Sequence, residues 1–140
     1  MSEKQYDLVV LGGGTAGYVA AIRASQLGKK VAIVEKSLLG GTCLHKGCIP
    51  TKALLKSAEV TRTVRQSSEF GIDTNDLHIN FEKMMNRKTD IVNQMHNGVQ
   101  SLMQKNHIDI YNGIGRIMGT SIFSPQSGTI SVEYEDGSSE

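Results

Sequence analysis

The 140-residue sequence predicts an α/β fold with a parallel sheet and crossover helices, and three observations predict it. The run Tyr6-Asp7-Leu8-Val9-Val10-Leu11 is β-rich and almost continuously apolar, which suits a central strand buried on both faces. It runs straight into Gly12-Gly13-Gly14-Thr15-Ala16-Gly17, a G-x-G-x-x-G pattern that opens a helical stretch from Thr15 to Leu27. Val31-Ala32-Ile33-Val34 then reads as the next strand and ends at Glu35. Strand, glycine turn, helix, strand and acid in that order turn a weak pattern into a dinucleotide-binding fingerprint.

Each residue of the fingerprint has its own physical task. Gly12 permits the tight turn, Gly14 lets the backbone approach a pyrophosphate, and Gly17 lets the helix lie close to the strand. The helix N-terminus offers free N–H groups and a positive dipole end to the phosphates. Glu35, eighteen residues beyond Gly17, is placed to accept hydrogen bonds from ribose hydroxyls, and its charge disfavours a 2′-phosphate. The competing reading is a glycine turn with no ligand. The helix stops at Gly28, and its small residues Ala20, Ala21 and Ala24 would allow close packing on a sheet.

The stretch Gly40-Gly41-Thr42-Cys43-Leu44-His45-Lys46-Gly47-Cys48-Ile49-Pro50-Thr51-Lys52 holds the only two cysteines, five positions apart. The Tyr6–Leu11 run, cut short by Gly12 to Gly14, is unlike a signal peptide, so a redox or metal role is expected before a structural disulfide. A closed zinc site wants four Cys or His ligands, and only His45 is near in sequence, so no metal is expected. Residues five apart in a helix have Cα atoms roughly 8–9 Å apart, whereas a disulfide needs about 4.4–6.8 Å. If Cys43 and Cys48 pair, the backbone between them must leave regular helix. Gly47 supplies the freedom, and Pro50 is expected to delay the next helix until just after it. The bland alternative is two buried cysteines acting as small apolar side chains.

Thr51 to about Gln66 then reads as helix, with Leu54, Leu55, Ala58 and Val64 inward and Lys52 in the first turn, where a cation opposes the dipole. Gln66 to Asn80 reads as a connecting loop. Phe81, Met84, Met85, Lys88, Ile91, Val92, Met95, Val99, Leu102 and Met103 keep helical spacing behind an Asn80 cap. His96 and His107 lack a metal set and read as surface residues. Ile108 to Tyr111 is a short strand, and Asn112 to Gly115 a second point of close approach. Arg116 to Tyr134 reads as an antiparallel meander of Ile117-Met118, Ser121-Ile122-Phe123 and Thr129 to Tyr134. Glu135 to Glu140 is turn chemistry with no returning strand, so the domain is expected to be incomplete at its C-terminus.

Fifteen basic against fourteen acidic residues leave net charge near zero, so neither nucleic acid nor a membrane is an implied partner. No apolar run approaches the roughly 20 residues that span a bilayer. A cytoplasmic location is expected.

The signature Gly-Gly-Thr-Cys43 followed by Lys-Gly-Cys48-Ile-Pro-Thr-Lys52-Ala-Leu-Leu resembles the active site of the class I flavoprotein disulfide reductases. Leu44, Ile49 and Ala53-Leu54-Leu55 resemble the members that oxidise protein-bound dihydrolipoamide more than glutathione or mercuric reductases. The departures are His45-Lys46, where most members carry Asn-Val, and Thr51, where serine is commoner. The resemblance implies a Rossmann-like FAD-binding domain, a homodimer and service to a lipoyl-bearing protein of a 2-oxoacid dehydrogenase complex. Residues 1–140 would be the N-terminal part of that FAD domain, with the NAD and interface domains absent and no turnover expected from this stretch alone. Cys43 resembles the interchange thiol, Cys48 the flavin-side thiol, and Lys52 the lysine near flavin N5. Glu35, Lys36, Gly41 and Thr42 resemble adenosine and pyrophosphate contacts, and Gly115 a backbone contact to adenine. Two other classes stay open: an ordinary NAD-dependent dehydrogenase domain, which leaves the cysteines idle, and a non-catalytic assembly module.

Overall fold

The computed structural model describes residues 4–119 and 128–140. The chain divides into two compact units, Met1–Gly41 with Gly98–Glu140, and Thr42–Asn97.

The first unit is a parallel sheet of β1 (Leu8–Leu11), β2 (Val31–Glu35) and β3 (Asp109–Asn112), in the order β1-β2-β3. Leu8 lies opposite Val31, and Ala32 opposite Asp109. Among the described residues β2 is the strand paired on both sides. Val31, Ala32, Ile33 and Val34 are all buried, whereas Leu8 and Leu11 on β1 are 37% and 40% exposed. Apolar content marks both runs as strands but does not say which of their edges pair.

Helix α1 (Thr15–Gln26) links β1 to β2 and ends where expected, with Gly28 at φ +79° donating its N–H to the Ser25 carbonyl. Of its three alanines, Ala21 is fully buried, Ala24 is half-buried and Ala20 is exposed. The last turns of α4 (Phe81–Lys105) add Val99 and Met103 to this core. Beyond β3, Gly113 is the point of close approach. A Cβ there would lie 2.6 Å from the Glu133 carbonyl oxygen. Next, β4 (Ile114–Ile117) pairs antiparallel with β5 (Ile130–Glu133), which supplies two arms of the expected meander. Its Ser121-Ile122-Phe123 arm lies outside the described residues. As expected, no further strand follows β5 among the described residues, but the chain folds back on β5 through an isolated bridge between Glu133 and Ser139. Asp136 accepts the Ser138 N–H in a tight turn, and Val132 and Glu140 then exchange backbone hydrogen bonds of 2.7 and 3.0 Å.

A hydroxyl network ties β3 to the segment before β1. The Tyr6 hydroxyl is 2.6 Å from both an Asp109 carboxylate oxygen and the Tyr111 hydroxyl, and the two rings meet edge to face. Burial first, then the bonds to Asp109 and Tyr111, push the Tyr6 phenol well above its ordinary value. The native state thus favours the neutral phenol. Its stabilisation is complete below about pH 10, where the unfolded chain's tyrosine ionises, and is lost as pH rises toward the folded value. Tyr6→Phe is expected to cost about 0.5–1.5 kcal/mol at neutral pH and to flatten the alkaline limb of stability. Urea melts from neutral to alkaline pH test this, and an unchanged alkaline limb would contradict it.

The second unit holds α2 (Gly41–His45), α3 (Cys48–Arg65), a 3₁₀ turn (Ser67–Phe70) and the greater part of α4. Helix α3 starts at Cys48, three residues earlier than expected. Pro50 sits inside the first turn, where its missing N–H had no helical partner to lose. Lys52 accordingly falls in the second turn rather than the first. The inward stripe of α3 also differs from the expected one. Ala53 is buried and Leu54, Ser57, Thr61 and Val64 are half-buried, while Leu55 and Ala58 are exposed. The hydroxyls can face inward because Ser57 and Thr61 bond back to carbonyls four residues earlier. Asn80 caps α4 through the Lys83 N–H at 2.9 Å, as expected. Among the described residues no helix is long and apolar enough to cross a membrane.

Candidate functional site

In the first unit, the glycine turn is assembled from four backbone segments. Gly12, at φ +99°, extends the sheet by donating its N–H to the Val34 carbonyl at 2.8 Å. The Gly13 N–H bonds the Glu35 carboxylate at 2.6 Å, and the Gly13 carbonyl accepts the Gly40 N–H at 2.7 Å. A Cβ on Gly17 would collide with the Gly12 carbonyl oxygen and lie 3.3 Å from Val10, so α1 can approach the strand only with glycine there. A Cβ on Gly41 would meet the Gly14 Cα at 2.8 Å, whereas one on Gly14 would enter open space. The start of α1 has no side-chain cap and no acid in its first turn. Its N–H groups therefore face an open approach at Gly14, as anion binding at a helix end requires.

Glu35 does more than its position in sequence announces. Besides Gly13, its carboxylate accepts the Ser37 N–H at 2.8 Å, so it latches the glycine turn to the loop after β2. A carboxylate offers about four acceptor sites, which leaves room for further donors. Glu35→Ala is expected to cost about 1.5–3 kcal/mol, because Gly13 is buried and its N–H loses a charged acceptor. Glu35→Gln, which keeps one carbonyl oxygen, should cost less. Denaturant midpoints of the two variants test this; an Ala variant as stable as wild type would contradict it.

Beyond the carboxyl ends of β2 and β3 lies an open groove of about 560 Å³, lined by Lys36, Ser37, Leu38, Asn112, Tyr134 and the Glu135-Asp136 turn. Of these the sequence marked the Lys36-Ser37-Leu38 backbone, and Asn112 as the start of a close-approach point. Tyr134 and the Glu135-Asp136 turn arrive through the meander, which no local motif marks as part of a site. Gly115 lies in β4 with its Cα against Leu11 and Val34, where a Cβ would lie 2.5 and 3.2 Å from their side chains. A larger residue there would have to displace the Leu11 side chain and press on Val34.

In the second unit, Cys43 and Cys48 form a disulfide with Cα atoms 4.8 Å apart. The helix breaks between them, as the spacing demanded. A Cβ on Gly47 would sit 3.1 Å from the Thr42 carbonyl oxygen and 3.4 Å from the Cys43 Cα, so glycine lets α2 and α3 close on each other. Cys48 is the first residue of the 18-residue α3, whose N-terminus has neither side-chain cap nor acid. Such a position favours a thiolate once the bond is reduced. Cys48 is exposed and Cys43 half-buried. Thr42 and Lys52 are exposed, and Lys52 makes no ion pair among the described residues. His96 is not the plain surface residue expected: it is half-buried, with its ring 5.1 Å from that of His45.

The pyridine nucleotide-disulphide oxidoreductase model matches residues 6–134, and the chain belongs to that family. It is 62% identical over 133 residues to a dihydrolipoyl dehydrogenase of Bacillus subtilis, covering 95% of this chain and 28% of that protein. It is 50% identical over 115 residues to a dihydrolipoyl dehydrogenase of Acholeplasma laidlawii, covering 81% and 34%. With the mitochondrial dihydrolipoyl dehydrogenase of Schizosaccharomyces pombe it shares 44% over 138 residues, covering 97% and 26%. The chain thus spans about a quarter to a third of the length of these relatives.

Proposed function

We propose that these residues form the N-terminal part of a dihydrolipoyl dehydrogenase. The enzyme oxidises protein-bound dihydrolipoamide to lipoamide, with FAD and NAD as cofactors, within a 2-oxoacid dehydrogenase complex. The observation that carries this reading is the Cys43–Cys48 bond at the uncapped head of α3, in a chain 62% identical to a protein of that name. In the chemistry of this pair, a substrate thiolate attacks the Cys43 sulfur and Cys48 leaves as a thiolate. The second substrate thiolate then attacks the sulfur bound to Cys43, closing the lipoyl disulfide and releasing Cys43. One disulfide is reduced, one is formed, and two electrons and two protons have moved to the protein.

The residues of the first unit fit FAD. The open approach at Gly14 and the uncapped start of α1 suit a pyrophosphate, with Gly12 and Gly17 setting the turn. Glu35 would hold ribose hydroxyls, and Lys36, Gly41 and Gly115 would line the adenosine and pyrophosphate. When bound, FAD would supply the two-electron acceptor that the dithiol needs. The exposed Cys48 is the sulfur for the flavin side, and Lys52 supplies a cation near it. The same reading makes the protein a cytoplasmic homodimer with its NAD site in a further domain.

Anaerobic addition of dihydrolipoamide to the full-length protein tests this. A yellow protein whose flavin spectrum changes on addition supports it. A colourless protein that reduces NAD with another substrate would favour the plain dehydrogenase alternative.

A further inference from the structure

The ring contact between His45 and His96 lies at a place where the sequence departs from the family pattern, and neither imidazole has a part in the chemistry above. His45 sits on α2, two residues after Cys43 and three before Cys48. His96 stands on α4, which is 25 residues long and carries its own Asn80 cap. The rings meet at 5.1 Å with their planes at 64°, an edge-on arrangement, and both residues are half-buried. Helix α2 has only five residues, too few to be stable on its own propensity. Its orientation, and with it the placement of Cys43, depends on what α2 touches. One tether is the Cys43–Cys48 bond itself, which is broken each time the pair is reduced.

We propose that His96 is a positioning residue for the redox pair. Through His45 it holds α2 beside α3 in the reduced state, so that Cys43 stays within reach of Cys48 and the disulfide reforms readily. This rests on the redox reading of the two cysteines. By linkage, a contact that holds the two thiols in bonding geometry favours the disulfide by the same factor that the disulfide favours the contact.

The test is thiol–disulfide equilibrium of the full-length protein with dithiothreitol, which needs no lipoamide. A dithiothreitol thiolate attacks one cysteine sulfur and the other leaves. The second dithiothreitol thiol then closes its ring, so one disulfide is exchanged for another. His96→Ala is expected to shift the equilibrium two- to tenfold toward the reduced cysteines, tenfold corresponding to about 30 mV. His96→Phe, which keeps an edge-on ring, should stay within twofold of wild type. In a His45→Asn background, His96→Ala should change the equilibrium by less than twofold, since its partner is gone. A shift below twofold for His96→Ala in the wild-type background overturns the proposal, as does a Phe variant that behaves like Ala. Should His96→Ala fail to fold, His45→Asn carries the test, with the same twofold threshold. A wild-type bond that dithiothreitol cannot reduce would contradict the redox reading itself, and this inference with it.

Discussion

Gly17→Ala is expected to destabilise the first unit by about 2–3 kcal/mol or more and to weaken FAD binding at least tenfold. Alanine in a helix interior ordinarily gains up to about 1 kcal/mol over glycine, so the sign depends on the space available. At Gly17 the added methyl runs into the Gly12 carbonyl oxygen, with Gly12 carbon at 3.1 Å and a Val10 methyl at 3.3 Å. Backbone cannot yield as a flexible side chain does, and overpacking of this kind costs about 1–3 kcal/mol before the lost propensity gain is counted. The remedy open to the protein is to lift α1 off β1. That moves the uncapped N–H groups from the place a pyrophosphate would occupy. Gly98→Ala in α4 is the control. A Cβ there meets nothing within 4 Å, so that variant should be neutral or more stable by up to about 1 kcal/mol. Urea midpoints and flavin retention of both variants check the pair. A Gly17→Ala protein as stable as Gly98→Ala would contradict the packing described.

Cys43→Ser and Cys48→Ser are each expected to abolish lipoamide turnover in the full-length enzyme while leaving the fold intact. Neither variant can form the disulfide, so no second thiol is present to receive electrons from substrate. The loss should be at the limit of detection for both, and double replacement should lower activity no further, because the two sulfurs act as one unit. Turnover assays with dihydrolipoamide settle this. Residual activity above a few per cent in either variant would mean that the cystine is structural. Stability should fall only modestly, since the bond closes a short loop in which loop entropy is small.

Much of the first unit was legible because local chemistry and tertiary role coincide there. Gly12, Gly14 and Gly17 announce the turn and Gly28 ends α1; Gly12 and Gly28 take a positive φ, and Gly17 has no room for a Cβ. What could not be read is whatever depends on partners far away in sequence. The pairing of β2 with β3, from beyond residue 108, is one such feature. Glu35 was legible as an acid at a strand end, but its bonds to Gly13 and Ser37 follow from loop closure. Pro50 misled because a proline reads as a boundary, yet the first helical turn tolerates it. The inward stripe of α3 misled because apolarity was followed, while Ser57 and Thr61 had their hydroxyls satisfied within the helix. His96 gave no signal, since its partner His45 lies 51 positions away.

Helix α3 beginning at Cys48 gives that sulfur, rather than Cys43, the end of a helix that favours a thiolate. The visible spectra of Cys43→Ser and Cys48→Ser full-length enzyme, recorded across pH, test the division of labour between them most directly. Cys43→Ser should show a long-wavelength charge-transfer band with oxidised flavin that rises as the Cys48 thiol ionises, and Cys48→Ser should show none. A band in Cys48→Ser alone would reverse the assignment, and no band in either would contradict the placement of this cystine beside a flavin.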